Sequence, residues 1–178
     1  MRLQLMGAAI TMALLQGPAQ AQLTIDMSLI TCEQYLRMTP AVSRDFSAWM
    51  SGWFHYQSQR TDVDLILLQK NIASVKAWCQ NHSQDKVMTG LQNAFVVPAQ
   101  GAVQANVNMN NVTCGNWLGQ TAAEQQLTRF WLTGYYQAAA NNSVLDYQGL
   151  QKRTVKVSRY CKSHKAQTLP TAIKNTAG

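Results

Sequence analysis

The chain has 178 residues, 47% of them apolar, with four cysteines and a formal net charge of +7 from 15 basic and 8 acidic residues. That apolar content excludes wholesale disorder, and the absence of a run of about 20 apolar residues after the N-terminus excludes a membrane-spanning helix there. The basic excess invites a nucleic-acid reading, whose weight depends on where the charge sits.

Met1-Arg2 gives a short positive start, Leu3 to Leu15 is mostly apolar, and Gly17-Pro18 breaks that run before Ala19-Gln20-Ala21. This order predicts a secretory signal peptide over residues 1–21, cut after Ala21 to leave Gln22 first. Export into a bacterial periplasm follows, and with it paired cysteines. Ile30 to Arg37 reads as a short first helix. It stops before Thr39-Pro40, where Thr39 can cap a second helix and Pro40 suits its first position. Phe46, Trp49, Met50 and Trp53 recur at spacings of three and four, the mark of an amphipathic second helix. Asp64 can cap a third, whose inner face would carry Leu65, Leu68, Ile72, Val75 and Cys79. A weaker fourth helix is expected near Gln84 to Phe95. From Val97 to Asn111, Pro98, Gly101 and an Asn-rich stretch break the periodicity, so residues 98–111 read as a linker.

The pattern then starts again. Thr31-Cys32 and Thr113-Cys114 lie 82 positions apart, as do Cys79 and Cys161. In that ungapped register Trp49 falls on Trp131, Gly52 on Gly134, Asp64 on Asp146, Leu68-Gln69-Lys70 on Leu150-Gln151-Lys152, and His82 on His164. Tyr35 meets Trp117, Trp53 meets Tyr135 and Trp78 meets Tyr160. Even the leading Ile25 and Met27 align with Val107 and Met109. A tandem duplication predicts an all-α chain of two small four-helix units, residues 22–97 and 112–178, the last helix of the second lying near Gln167 to Asn175. Its third helix would turn Tyr147, Leu150, Thr154, Val157 and Cys161 inward.

Four cysteines permit three pairings. The repeat favours Cys32–Cys79 and Cys114–Cys161, because a unit that arose alone needs its own bridge. Each would pin the first helix to the end of the third, and a unit this small needs such a staple.

Located along the chain, the charge divides unevenly. Arg2 leaves with the signal peptide. The first unit balances six basic residues against six acidic ones. The second sets eight, most of them between Lys152 and Lys165, against Glu124 and Asp146. Lys152, Lys156 and Arg159 form one helical stripe, extended by Arg153, Lys162 and Lys165. The stripe is either a solvated helix face or an anion-binding face for an acidic protein, phospholipid headgroups or lipopolysaccharide. Export and the lack of a nucleic-acid motif argue against nucleic acid.

A unit opening Thr31-Cys32-Glu33-Gln34-Tyr35-Leu36 and closing Trp78-Cys79-Gln80-Asn81 resembles the HdeA/HdeB periplasmic acid-stress chaperones. The second unit closes similarly with Tyr160-Cys161-Lys162-Ser163. Trp49-x-x-Gly52-Trp53-Phe54 and Trp131-x-x-Gly134-Tyr135-Tyr136 are similar to the second helix of that family's broader members. The resemblance implies small helical units that pair, loosen in acid and offer apolar surface to unfolding clients. With two units in one chain, the pair would form within the molecule, held by a local concentration on the order of millimolar. Trp49, Trp53, Phe54, Trp131, Tyr135 and Tyr136 would then be either plain core or the shared surface later offered to clients.

Other chemistry finds little support. Cys79-x-x-His82 and Cys161-x-x-His164 have the look of metal pairs, but disulfides would consume the thiolates. A His just past a helix end more often caps the last carbonyls. No phosphate-cradling loop or nucleophile elbow occurs, and of Asp62 and Asp64 the second unit keeps only Asp146. The chain is therefore expected to be non-catalytic, without cofactor or metal. The leading function is a chaperone for unfolded periplasmic proteins. The alternative is an envelope interaction module, a secretion-system accessory or toxin-neutralising protein, acting through the basic second unit.

Overall fold

A computed structural model describes residues 24–96 and 106–176. The expected signal peptide lies outside them, as does most of the expected linker. The first unit runs β1 (Thr24–Asp26), α1 (Cys32–Leu36), α2 (Pro40–Gln57), β2 (Asp62–Asp64), α3 (Leu65–Asn81) and α4 (Val87–Ala94). The second runs β3 (Asn106–Asn108), a 3-10 turn (Met109–Asn111), α5 (Cys114–Leu118), α6 (Ala122–Ala139), β4 (Val144–Asp146), α7 (Tyr147–Ser163) and α8 (Leu169–Asn175). Four helices per unit give the all-α class. The strands and the turn are additions that the helical periodicity does not announce; β3 and the turn occupy the last part of the segment 98–111.

Local chemistry sets the helix ends. Thr39 Oγ1 accepts from the amide of Val42 while Pro40 fills the first turn, where its missing N–H costs nothing. Asp64 Oδ1 accepts from the amides of Ile66 and Leu67, and Asp146 Oδ1 accepts from Gly149. Thr31 with Gln34, and Thr121 with Glu124, form reciprocal capping boxes. Helices α2 and α6 both end in a left-handed residue, Gln59 (φ 54°) and its counterpart Asn141 (φ 49°). Each reverses the chain toward a strand.

Cys32 is bonded to Cys79 and Cys114 to Cys161, each pair with Cα atoms 4.9 Å apart. Beside each bridge the loop before the last helix hydrogen-bonds back to the first helix. Cys32 N donates to Asp85 O at 2.8 Å, and Cys114 N to Gln167 O at 2.7 Å.

The strands do not pair within a unit. β1 runs antiparallel to β4, with Ile25 opposite Leu145, and β2 runs antiparallel to β3, with Val63 opposite Val107. The two ribbons are equivalent under the 82-residue shift. So are the bonds that extend them, Met27 N to Ser143 O and Met109 N to Thr61 O, both 2.9 Å. Between the ribbons α2 packs along α6, and one continuous core runs through both units. Helix α2 is buried well beyond a single stripe, from Ser43 through Gly52, because α6 covers one side and its own unit the other.

One inward residue is misassigned by its spacing. Leu65 is 39% exposed, whereas Asn71, polar and apparently outward, is buried. Asn71 closes its unit instead: its side chain donates to Val96 O at 2.7 Å and accepts from Val96 N at 3.1 Å. At the first position of a helix a side chain leans over the turn before it, here the strand end, and Leu65 falls outside the packed face.

Candidate functional site

The seam between the units is built on two glycines. A Cβ on Gly52 would overlap the carbonyl oxygen of Trp131, and one on Gly134 would overlap that of Trp49. Bare backbone at both positions lets α2 and α6 approach to main-chain contact. The large rings gather around this point. Trp49 and Trp131 are fully buried, Trp49 stacks on Trp53 (centroids 5.0 Å apart) and Trp131 on Tyr135 (5.3 Å). Tyr135 meets Tyr56 of the other unit edge to face at 5.4 Å. Of the six expected aromatic residues, Trp53, Phe54 and Tyr135 are half-buried and Tyr136 is exposed. Phe54 packs on Phe95 within the first unit rather than in the seam (5.8 Å).

Polar groups cross the seam asymmetrically. Trp49 Nε1 donates to Gln137 Oε1 at 2.6 Å, while Trp131 Nε1 donates to Ser51 Oγ at 3.2 Å. Asp45, buried in α2, accepts from Gln126 Nε2 and from Tyr147 Oη (2.9 Å) of the second unit, with Arg44 Nη2 at 3.4 Å. Burial, with the Asp45 carboxylate beside it, pushes the Tyr147 phenol up to about 12. Asp26 Oδ1 accepts from Ser143 Oγ across the β1–β4 ribbon at 2.8 Å. The neighbouring Ser28 hydroxyl, which also donates to it, and then the Ser143 bond hold its carboxyl below its ordinary value.

His55 sits in the same seam. Its Nδ1 lies 2.7 Å from Ser51 O, and since a carbonyl only accepts, that nitrogen carries a proton. The ring meets Trp131 edge-on at 5.5 Å and Phe95 at 6.1 Å. Burial lowers its pKa, the Ser51 bond opposes this, and the Arg60 charge lowers it further. Asp64 lines the same small space. Spacing alone did not single out Asp45, His55 or the glycine crossing. The alignment of Gly52 with Gly134, both flanked by aromatic residues, was the one signal that could have.

Away from the seam, Lys152, Arg153, Lys156, Arg159, Lys162 and Lys165 are all exposed on α7 or just beyond it. Arg153 Nη1 lies 3.6 Å from Asp146 Oδ2. His82 and His164 cap the ends of α3 and α7. Each stacks on an aromatic ring, Trp78 or Tyr160, with centroids 4.0 Å apart, and points Nδ1 at that residue's carbonyl. Among the described residues no cluster of three or more His, Cys, Asp or Glu could hold a metal, and no helix is long and apolar enough to cross a membrane.

The sequence model of the HdeA/HdeB family matches residues 3–89 and then again residues 90–171. The chain belongs to the HdeA/HdeB family. It carries two HdeA/HdeB units in tandem, one per match, each with its own disulfide. HdeA/HdeB proteins are periplasmic and are associated with chaperoning under acid stress rather than with catalysis. No curated protein and no solved structure matches the chain.

Proposed function

We propose that this protein is an acid-stress chaperone of the periplasm, in which the two tethered units pair at neutral pH and separate in acid. The surface it offers to unfolded clients is then the seam itself. The observation that carries this reading is the burial of Trp49 and Trp131 against the opposite unit with His55 beside them. An aromatic surface that is covered by a partner, and whose cover depends on protonation, is what a conditional holdase requires.

The sign of the pH response follows from the groups present. His55 is held in its neutral form, so its folded pKa lies below the unfolded value of about 6.5. Its contribution is complete above that pH and is lost as pH falls from there through the lower folded pKa, because the loosened chain binds a proton that the paired one refuses. Asp26 acts later. Its contribution is present above the ordinary carboxylate pKa and disappears as pH falls through its depressed value. Protonated carboxylates also leave the chain strongly cationic, and self-repulsion then drives the units apart.

The decisive experiment is suppression of client aggregation at about pH 3 against pH 7, with dye binding as the measure of exposed apolar surface. Suppression with dye uptake only in acid is expected. Neither response at either pH would end the chaperone reading. A second reading, an envelope interaction module, draws on the six exposed cations on and just beyond α7 and predicts a stoichiometric acidic partner at neutral pH.

A further inference from the structure

The two units differ where the second, third and fourth helices of each converge. In the first unit this space is full. Ser47 is hydrogen-bonded to Tyr35 Oη at 2.6 Å and to Ser43 O at 2.7 Å, Asn71 closes on Val96, and the Phe95 ring packs against Phe54. Only about 10 Å³ remains there. In the 82-residue register Ser47 becomes Arg129, Asn71 becomes Arg153 and Phe95 becomes Ala177, which brings no ring. The matching space in the second unit is a cavity of about 290 Å³.

The walls of this cavity are apolar, from Leu132, Tyr136, Val157 and Ile173, and none of its lining residues is acidic. Arg129 lines it while being only 2% exposed, and its Nε and Nη1 have no hydrogen-bond partner. Burial, with Arg153 nearby, brings Arg129 down to about 10, which leaves it charged at neutral pH. A buried guanidinium with two unpartnered donors is costly, and a carboxylate matches its planar fork. A second cavity of about 400 Å³, lined by Pro170 and Lys174, adjoins the first and shares Tyr136 and Ile173 with it.

We propose that this cavity binds a carboxylate with an apolar tail, its head group against Arg129 and its tail leaving past Tyr136 and Ile173. The duplication has in effect exchanged a plugged core for an acid-binding site in one unit. The cavity meets the seam at Gln137, which lines it and accepts from Trp49, but binding there does not depend on chaperone activity.

Isothermal titration of the mature chain with sodium octanoate, at neutral pH and low salt, tests this directly. One octanoate per chain is expected, with acetate and 1-octanol each binding at least about tenfold more weakly, since one lacks the tail and the other the charge. Arg129→Met should reduce octanoate affinity by at least about tenfold while Ser47→Ala leaves it unchanged. Arg153→Gln lies on the surface and spares the core; it should weaken octanoate severalfold and 1-octanol not at all. No octanoate binding to the wild-type chain, equal binding of octanoate and 1-octanol, or equal binding of octanoate and acetate would each overturn the proposal.

Discussion

His55 and Asp45 do at single positions what the rest of the seam does collectively. The residue aligned with His55 is Gln137, so His55→Gln supplies a side chain that the other unit already tolerates at this place. It removes the titrating ring. Denaturation free energies measured from pH 7 downward should then lose the fall that begins near pH 6.5, with little change at neutral pH. An unaltered slope would show that the seam does not respond through His55. Asp45 is aligned with Leu127, so its carboxylate has no twin. Asp45→Asn keeps the shape but gives up charge-assisted bonds to Gln126 and Tyr147, at a cost of about 2 kcal/mol in chemical denaturation. The same variant should bring the Tyr147 phenol back from about 12 toward its ordinary value, read by its ultraviolet titration. Burial would still hold it somewhat high.

Among the elements, α2 and α6 matter most, because their mutual approach covers the aromatic surface. Gly52→Ala places a methyl against the main chain of Trp131, which cannot retreat without moving α6. We expect a loss of about 3 kcal/mol, with each unit still held by its disulfide. Dye binding and client suppression should therefore emerge at neutral pH, without acid. If the variant stays tight and inactive at pH 7, opening of the seam is not the activating event. Much at this scale was legible in the sequence. Thr39-Pro40 and Asp64 mark helix starts because capping is local chemistry, and a residue carries the signal by itself. The strands were not legible. Three residues such as Asp62-Val63-Asp64 have no period to detect, and their partner lies in the other unit, so nothing local specifies them. Leu65 failed for a related reason: helical spacing assigns a face, but it does not say where that face ends.

For the whole molecule, the repeat was the strongest sequence signal, and it carried fold class and cysteine pairing together. It said less about function, because the equivalence it reveals hides the differences that matter. Arg129 lies among buried helix residues and attracts no notice until Ser47 and Phe95 are seen filling the same space in the first unit. Each bridge spans 47 residues and should stabilise its unit by about 4 kcal/mol through the unfolded chain. Reduction should therefore unfold the protein at temperatures where the oxidised form is intact, followed by far-ultraviolet circular dichroism. The basic stripe gives a separate prediction. Replacing Lys152, Lys156 and Arg159 by Gln should abolish adsorption to anionic vesicles at low salt. Unchanged adsorption would assign the stripe to ordinary solvation.

The reciprocal ribbons leave each half incomplete, since both β1 and β2 find their only described partners in the other half. In an assembly of two identical chains, every substitution near the axis is made twice and must suit itself across it. Here a gene encodes each side separately. Asp45 can face Gln126 and Tyr147 without a second carboxylate opposite, and Trp49 and Trp131 can take different acceptors. One half is free to open a cavity beside a buried arginine while the matching space in the other stays filled. Fusion has released the seam from self-complementarity, and the two halves can be selected for different tasks within a single fold.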